Sequence, residues 1–213
     1  MFRKIIDKNK AYWSQKEFVG SIIFGFLLLV ASLFINYSAG SFATEKAGIG
    51  VTDLFLDNVP IIDMGFLLVY GAIALLFFIL AIVLFEPRYL PFTLRTLALF
   101  ILVRSIFIVL THIGPYYEFA PLPPSKIMGQ ITFGGDLFFS GHTGVPFLMA
   151  LIFWKFARLR FIFIAVSVIF GISVLLSHIH YSIDVVAAFF ITYAIFEMAK
   201  NFFPKSYKLI SEF

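Results

Sequence analysis

Cysteine is absent from this 213-residue chain, so disulfides and thiolate metal sites are excluded. Charge is scarce as well: Asp, Glu, Lys and Arg make up 13% of residues, against about a quarter in soluble domains. No soluble domain, internal repeat or low-complexity tract is visible. What is abundant is apolar: 61% of residues are hydrophobic and 30 are Phe, more than a water-facing surface can hide. The apolar residues cluster in runs of about 20, the length that crosses a hydrocarbon core of roughly 30 Å. Lipid is therefore the solvent of this chain. The N-terminal segment is basic and mixed, and it leads into a long apolar run without a small-residue cleavage site, so no removable signal peptide is expected.

Six spans are expected, over 18–37, 64–85, 92–113, 141–157, 159–178 and 181–203. Only a helix satisfies its own backbone polar groups within one crossing segment, so the fold class is all-α, a single polytopic bundle. Residues 1–17 form a basic N-terminal segment, 18–203 the membrane domain and 204–213 a tail. The net charge of +4 invites nucleic acid or anionic lipid as a partner, but its distribution favours topology instead. Thirteen of 16 basic residues fall on one side: Arg3, Lys4, Lys8, Lys10, Lys16, Arg88, Arg95, Lys155, Arg158, Arg160, Lys200, Lys205 and Lys208. The opposite loops carry only Lys46 and Lys126, and Arg104 lies within the third span. Positive charge marks the inner side, so both termini are expected in the cytoplasm and the 38–63 and 114–140 loops outside. The second of these loops is rich in proline (Pro115, Pro121, Pro123, Pro124) and ends in Gly134-Gly135, which predicts a shaped loop.

Two polar clusters interrupt the apolar background. Gly134-Gly135-Asp136-Leu137-Phe138-Phe139-Ser140-Gly141-His142-Thr143 stands where the second outer loop enters the fourth span. His178-Ile179-His180-Tyr181-Ser182-Ile183-Asp184-Val185 stands where the fifth span gives way to the sixth. His142 and His180 are 38 residues apart, about two short crossings joined by a tight turn, which returns both imidazoles to one face. Asp184 follows His180 by four residues and shares its helical face. A carboxylate there accepts the Nδ1 proton and fixes the ring's tautomer. The start of the fourth span, approached through Gly141, offers unpaired N–H groups to an anion, with the Ser140 and Thr143 hydroxyls beside them. An imidazole with a pKa near 6.5 serves as nucleophile, acid or base around neutral pH.

These clusters resemble the signature motifs of the sphingomyelin synthase-like branch of the type-2 phosphatidic acid phosphatase, or lipid phosphate phosphatase, superfamily. The first motif is Gly-Asp, three residues, then Ser-Gly-His-Thr, as at Gly135 to Thr143. The second is His-x-His-Tyr-Ser/Thr-x-Asp-Val followed by Ala and aromatic residues, as at His178 to Phe190. The resemblance covers about the last 80 residues in detail. It implies that His180 is a nucleophile forming a phospho-histidine and that Asp184 orients it. It implies that His142 protonates the leaving alcohol and then activates the incoming water or alcohol. Ser140, Gly141, Thr143, Asp136 and Tyr181 become candidates for holding the phosphate. No metal or other cofactor is implied. The expected partners are a phospholipid substrate, a lipid alcohol or water as acceptor, and the surrounding membrane lipids, with no nucleic acid.

Departures from the wider superfamily are informative. Its Lys-rich motif ending in Arg-Pro is missing, and Val174 stands where an Arg precedes the nucleophilic His by six residues; the sphingomyelin synthase branch shares both departures. Arg104 is the candidate to replace that cation. The branch's early Pro-Leu-Pro-Asp motif has its nearest counterpart in Val51-Thr52-Asp53-Leu54. Two other function classes fit less well. A metal-dependent membrane hydrolase would use His142, His178, His180 and Asp184 as zinc ligands, but Ser-Gly-His-Thr suits an anion better. A non-catalytic lipid-binding or transport protein would place polar residues near the midplane, whereas here they gather near one surface.

Overall fold

A computed structural model describes residues 9–120 and 137–212, and every regular element among them is helical. Besides two short 3-10 turns, Leu56–Asn58 and Pro87–Tyr89, the α-helices in chain order are α1 (Lys16–Lys46), α2 (Gly65–Phe85), α3 (Leu90–Leu110), α4 (Gly141–Ile152), α5 (Ala157–Leu176), α6 (Ser182–Phe202) and α7 (Pro204–Ser211). Five of the expected crossings appear as helices long and apolar enough to span a membrane: Lys16–Lys46, Gly65–Phe85, Pro87–Leu110, Ala157–Leu176 and Ser182–Phe202. Proline at the first turn of α3 and of α7 presets φ where no N–H partner is needed.

The expected fourth span over 141–157 needs correction. Its helix, α4, has 12 residues, about 18 Å at 1.5 Å per residue, and is too short to cross the core alone. It stops because residues 153–156 turn the chain sharply, with the Phe156 N–H bonded to the Phe153 carbonyl, and place Trp154 and Lys155 at the exposed bend. The first span is corrected in the other direction. α1 runs to Lys46, nine residues past the expected end, because small residues (Ala39, Gly40, Ala43) keep one face buried after the apolar run fades.

α4 is the best-buried element. Leu148, Met149 and Ala150 are inaccessible, and α5 and α6 pack along it. Gly144 permits the crossing of α3, since a Cβ there would lie 2.7 Å from the Phe100 ring. α1 packs along α3 on the outside of this unit. Phe34, Phe66, Phe77, Phe161 and Phe190 point outward, as a lipid-solvated bundle requires. At the end of the bundle carrying residues 86–89 and 153–156, aromatic rings close the core. Tyr89 stacks on Phe153 at 4.8 Å and Phe153 on Phe163 at 5.8 Å.

Candidate active site

The opposite end of the bundle is polar, and both sequence clusters meet there. The Ser140 N–H donates to the Asp184 carbonyl at 3.1 Å, which seats the start of α4 against the first turn of α6. Thr143 lies level with Gly171 of α5, where a Cβ would come within 3.3 Å of the Thr143 hydroxyl. The first turn of α4 therefore opens about one helical turn, roughly 5 Å, short of the C-terminal end of α5.

His180 and Asp184 are both buried, at 7% and 2% exposure, so their pairing is shielded from water. His180 Nδ1 stands 3.4 Å from Asp184 Oδ2. The same oxygen accepts the Tyr181 N–H at 2.9 Å. Asp184 thus caps the helix that carries it and steadies the imidazole with one atom. With Nδ1 directed to the carboxylate, Nε2 is the ring nitrogen that faces away from it. His142, on the first turn of α4, is half-buried, with its ring edge-on to Phe170 at 6.0 Å. It lies within electrostatic reach of both His180 and Arg104.

Arg104 reaches across from α3. Its Nε donates to the Phe139 carbonyl at 2.8 Å and lies 3.7 Å from where a Gly141 side chain would begin. That is ordinary van der Waals distance, so guanidinium and helix start lie side by side. Val174, at the position where the wider superfamily carries Arg, is fully buried with Leu68 and Val185 and has no room for a charge. Among the described residues, the cation beside the α4 N-terminus is Arg104.

Four N–H groups are left over at any helix start. Here Ser140 N–H is taken by Asp184, and Thr143 N–H donates to Ser140 Oγ at 3.3 Å. Those of Gly141 and His142 stay available to an anion. The hydroxyls behave differently from expectation. Ser140 and Thr143 are wholly buried, and Thr143 Oγ1 lies 3.2 Å from Ser140 Oγ, so the pair closes the cap from within. Tyr181 also turns away. Its hydroxyl accepts from the Val51 N–H at 3.1 Å and donates to the Gly114 carbonyl at 2.9 Å, tying the loops that follow α1 and α3 to the turn. Asp136 lies outside the described residues.

His178 adopts φ of 55°, the left-handed conformation that a sharp reversal between α5 and α6 requires. Its Nε2 is 3.1 Å from the Val59 carbonyl, which directs the ring to the loop between α1 and α2. Among the described residues no group of three His, Asp or Glu side chains is arranged to hold a metal ion.

One residue of this region was not singled out by its sequence: Asp53. One of its carboxylate oxygens accepts both the N–H and the hydroxyl of Ser182 at 2.8 Å, across 129 residues. The only sequence signal is its place in the counterpart of the branch's Pro-Leu-Pro-Asp motif.

Residues 134–202 match the family model described as PAP2 superfamily C-terminal. The matched stretch contains His142, His180 and Asp184. It supports the type-2 phosphatidic acid phosphatase superfamily and, with it, phosphatase or phosphotransferase chemistry on lipid-like substrates. No curated protein sequence and no solved structure matches the chain.

Proposed function

We propose that this chain is a metal-independent lipid phosphohydrolase or head-group phosphotransferase of the sphingomyelin synthase-like kind, working through a phospho-histidine at the outer membrane face. The observation that carries the reading is the sharing of Asp184 Oδ2 between His180 Nδ1 and the Tyr181 N–H. That arrangement turns one imidazole's Nδ1 to a carboxylate, within electrostatic reach of a second imidazole that itself feels a guanidinium lying against a helix N-terminus.

In this reading a lipid phosphate sits between Arg104 and the Gly141 and His142 N–H groups. His180 Nε2 attacks phosphorus, and the bond from phosphorus to the lipid oxygen breaks. His142, protonated, delivers its proton to that departing oxygen. Water or a second alcohol then loses its proton to His142 and attacks phosphorus. The nitrogen–phosphorus bond breaks, and His180 returns to its starting state. Arg104 and the helix start hold the phosphoryl oxygens throughout, so catalysis rests on positioning and fixed charge.

The topology that suits this chemistry has six crossings, with α4 and the 153–156 turn serving together as the fourth. Both termini lie in the cytoplasm and the site opens outward, as the one-sided distribution of Lys and Arg supports. The test is turnover of a phospholipid panel by the purified protein, with and without diacylglycerol and ceramide, products identified by mass. Free phosphate or a free head-group phosphate marks hydrolysis; a new phospholipid marks transfer. Full activity in His180→Ala, or activity abolished by chelators, overturns the mechanism.

A further inference from the structure

The turn between α5 and α6 is gripped from outside along its length. Ile62 N–H donates to the Leu176 carbonyl, Met64 N–H to Ser177 Oγ, and Ala120 N–H to the Ser177 carbonyl, each within 3.0 Å. Tyr181 holds Val51 and Gly114, as described. Every one of these contacts but one uses neutral groups. The exception is Asp53, and we propose that it is a positioning residue for the reaction, setting the start of α6 and thereby the His180–Asp184 pair. This inference rests on the roles assigned to His180 and Asp184 above.

The chemistry of the contact makes the case. Asp53 divides its two oxygens between two elements. Oδ1 accepts the Phe55 and Leu56 N–H groups at 2.9 and 3.1 Å, closing the first outer loop into its short turn. Oδ2 accepts the Ser182 N–H and the Ser182 hydroxyl. Ser182 is the first residue of α6, so its N–H is one of the donors that the helix cannot satisfy itself. A carboxylate from a distant loop does so instead, and its charge complements the positive end of the helix dipole. Two residues further on, Asp184 lies in the same first turn; two residues back, His180 follows the turn's reversal. Any tilt of this turn moves the imidazole relative to His142, which is seated on a different helix.

All four contacts to the Asp53 side chain come from donors. An amide there would aim its NH2 at one pair of them, so the contact tolerates a carboxylate and not its isostere. Burial pushes the carboxyl's pKa up, but the Leu56, Ser182 and Phe55 donors outweigh it and hold it below the ordinary value. The grip is braced again behind Asp53. Its own N–H donates to Asp57 Oδ2 at 3.2 Å, and Asp57 Oδ1 accepts the Tyr116 hydroxyl at 2.7 Å.

The experiment measures steady-state turnover and trapped phosphoenzyme for wild type, Asp53→Asn, Ser182→Ala, Asp184→Asn and the Asp53→Asn/Asp184→Asn double variant. All are reconstituted in phosphatidylcholine vesicles with a phosphatidic acid substrate or whichever phospholipid the wild type turns over. A misplacement of about an ångström costs on the order of 100-fold, so Asp53→Asn is expected to lower kcat by about 30- to 100-fold with KM within about twofold. Ser182→Ala keeps the N–H contact and is expected to lose only about threefold, with the same split; it covers the case in which Asp53→Asn does not fold. In the Asp184→Asn background, where the imidazole has lost its partner, Asp53→Asn is expected to cost less than about threefold further, because residues acting as a unit are not additive. Unchanged kcat in Asp53→Asn and Ser182→Ala, or a fully multiplicative double variant, overturns the proposal. Absence of His180-dependent turnover in the wild type instead overturns the reading on which it rests.

Discussion

The two ends of the bundle are closed by different physics. One end, at residues 86–89 and 153–156, is shut by stacked rings: Tyr89, Phe153 and Phe163. The other, at residues 176–182, is shut by hydrogen bonds from two loops to Leu176, Ser177, Tyr181 and Ser182. Ring stacking is strong in area and loose in angle, because offset and tilted arrangements differ little in energy. Hydrogen bonds are modest in net stability and strict in direction. Helices need only be held together at the first end. At the second, the proposed mechanism needs an imidazole to be aimed.

The comparison is broken most severely at the aimed end. His180→Ala is expected to lower turnover by about 10⁴-fold or more while leaving the melting temperature nearly unchanged, read by phospholipid turnover beside a thermal unfolding scan. Asp184→Asn comes next. It leaves an acceptor for Tyr181 N–H but no longer dictates the tautomer of His180, and a loss of about 10³-fold in kcat is expected in the same assay. Tyr181→Phe removes the hydroxyl that serves Val51 and Gly114 and leaves both unsatisfied. About 1–3 kcal/mol of stability is expected to go, seen in denaturant unfolding, with turnover falling by roughly tenfold.

The ring-closed end inverts the pattern. Phe153→Ala is expected to cost about 3–5 kcal/mol of stability through the cavity it leaves, with kcat within about threefold of wild type where the protein is folded. If that variant loses kcat as deeply as Tyr181→Phe, the division between the ends fails. The mildest effect concerns pH. Asp53's folded-state pKa lies below its ordinary 3.8, so its contribution is complete above that value and leaves only as pH falls through the lowered one. Hydrogen exchange at the Ser182 amide is expected to show undiminished protection from pH 7 down to pH 5.

The division also explains which parts of the molecule were readable in advance. Apolar runs carry their length in plain sight, so α2, α3, α5 and α6 lie within three residues of expectation at each end. α1 overran its apolar run because burial against α3 depends on small side chains, and smallness does not register as hydrophobicity. α4 fell short because Phe153 leaves the helix to stack on Tyr89, a tertiary choice that no local pattern encodes. His142, His180 and Asp184 were legible as motifs, since their spacing returns them to one end. Where the Ser140, Thr143 and Tyr181 hydroxyls point was not, because a hydroxyl reads the same in sequence whether it faces a ligand or closes a cap. Asp53 was invisible as a partner of Ser182, since 129 residues of chain separate the two.

The brevity of α4 has a consequence for the membrane itself. Its start lies about one turn short of the C-terminal end of α5, so in the proposed reaction a lipid's phosphate has to sink beneath the plane of its neighbours to reach the Gly141 and His142 N–H groups. How far it sinks depends on how thick the bilayer is around the protein. Turnover should then vary with acyl-chain length even where the head group is held constant, faster in thin bilayers than in thick ones.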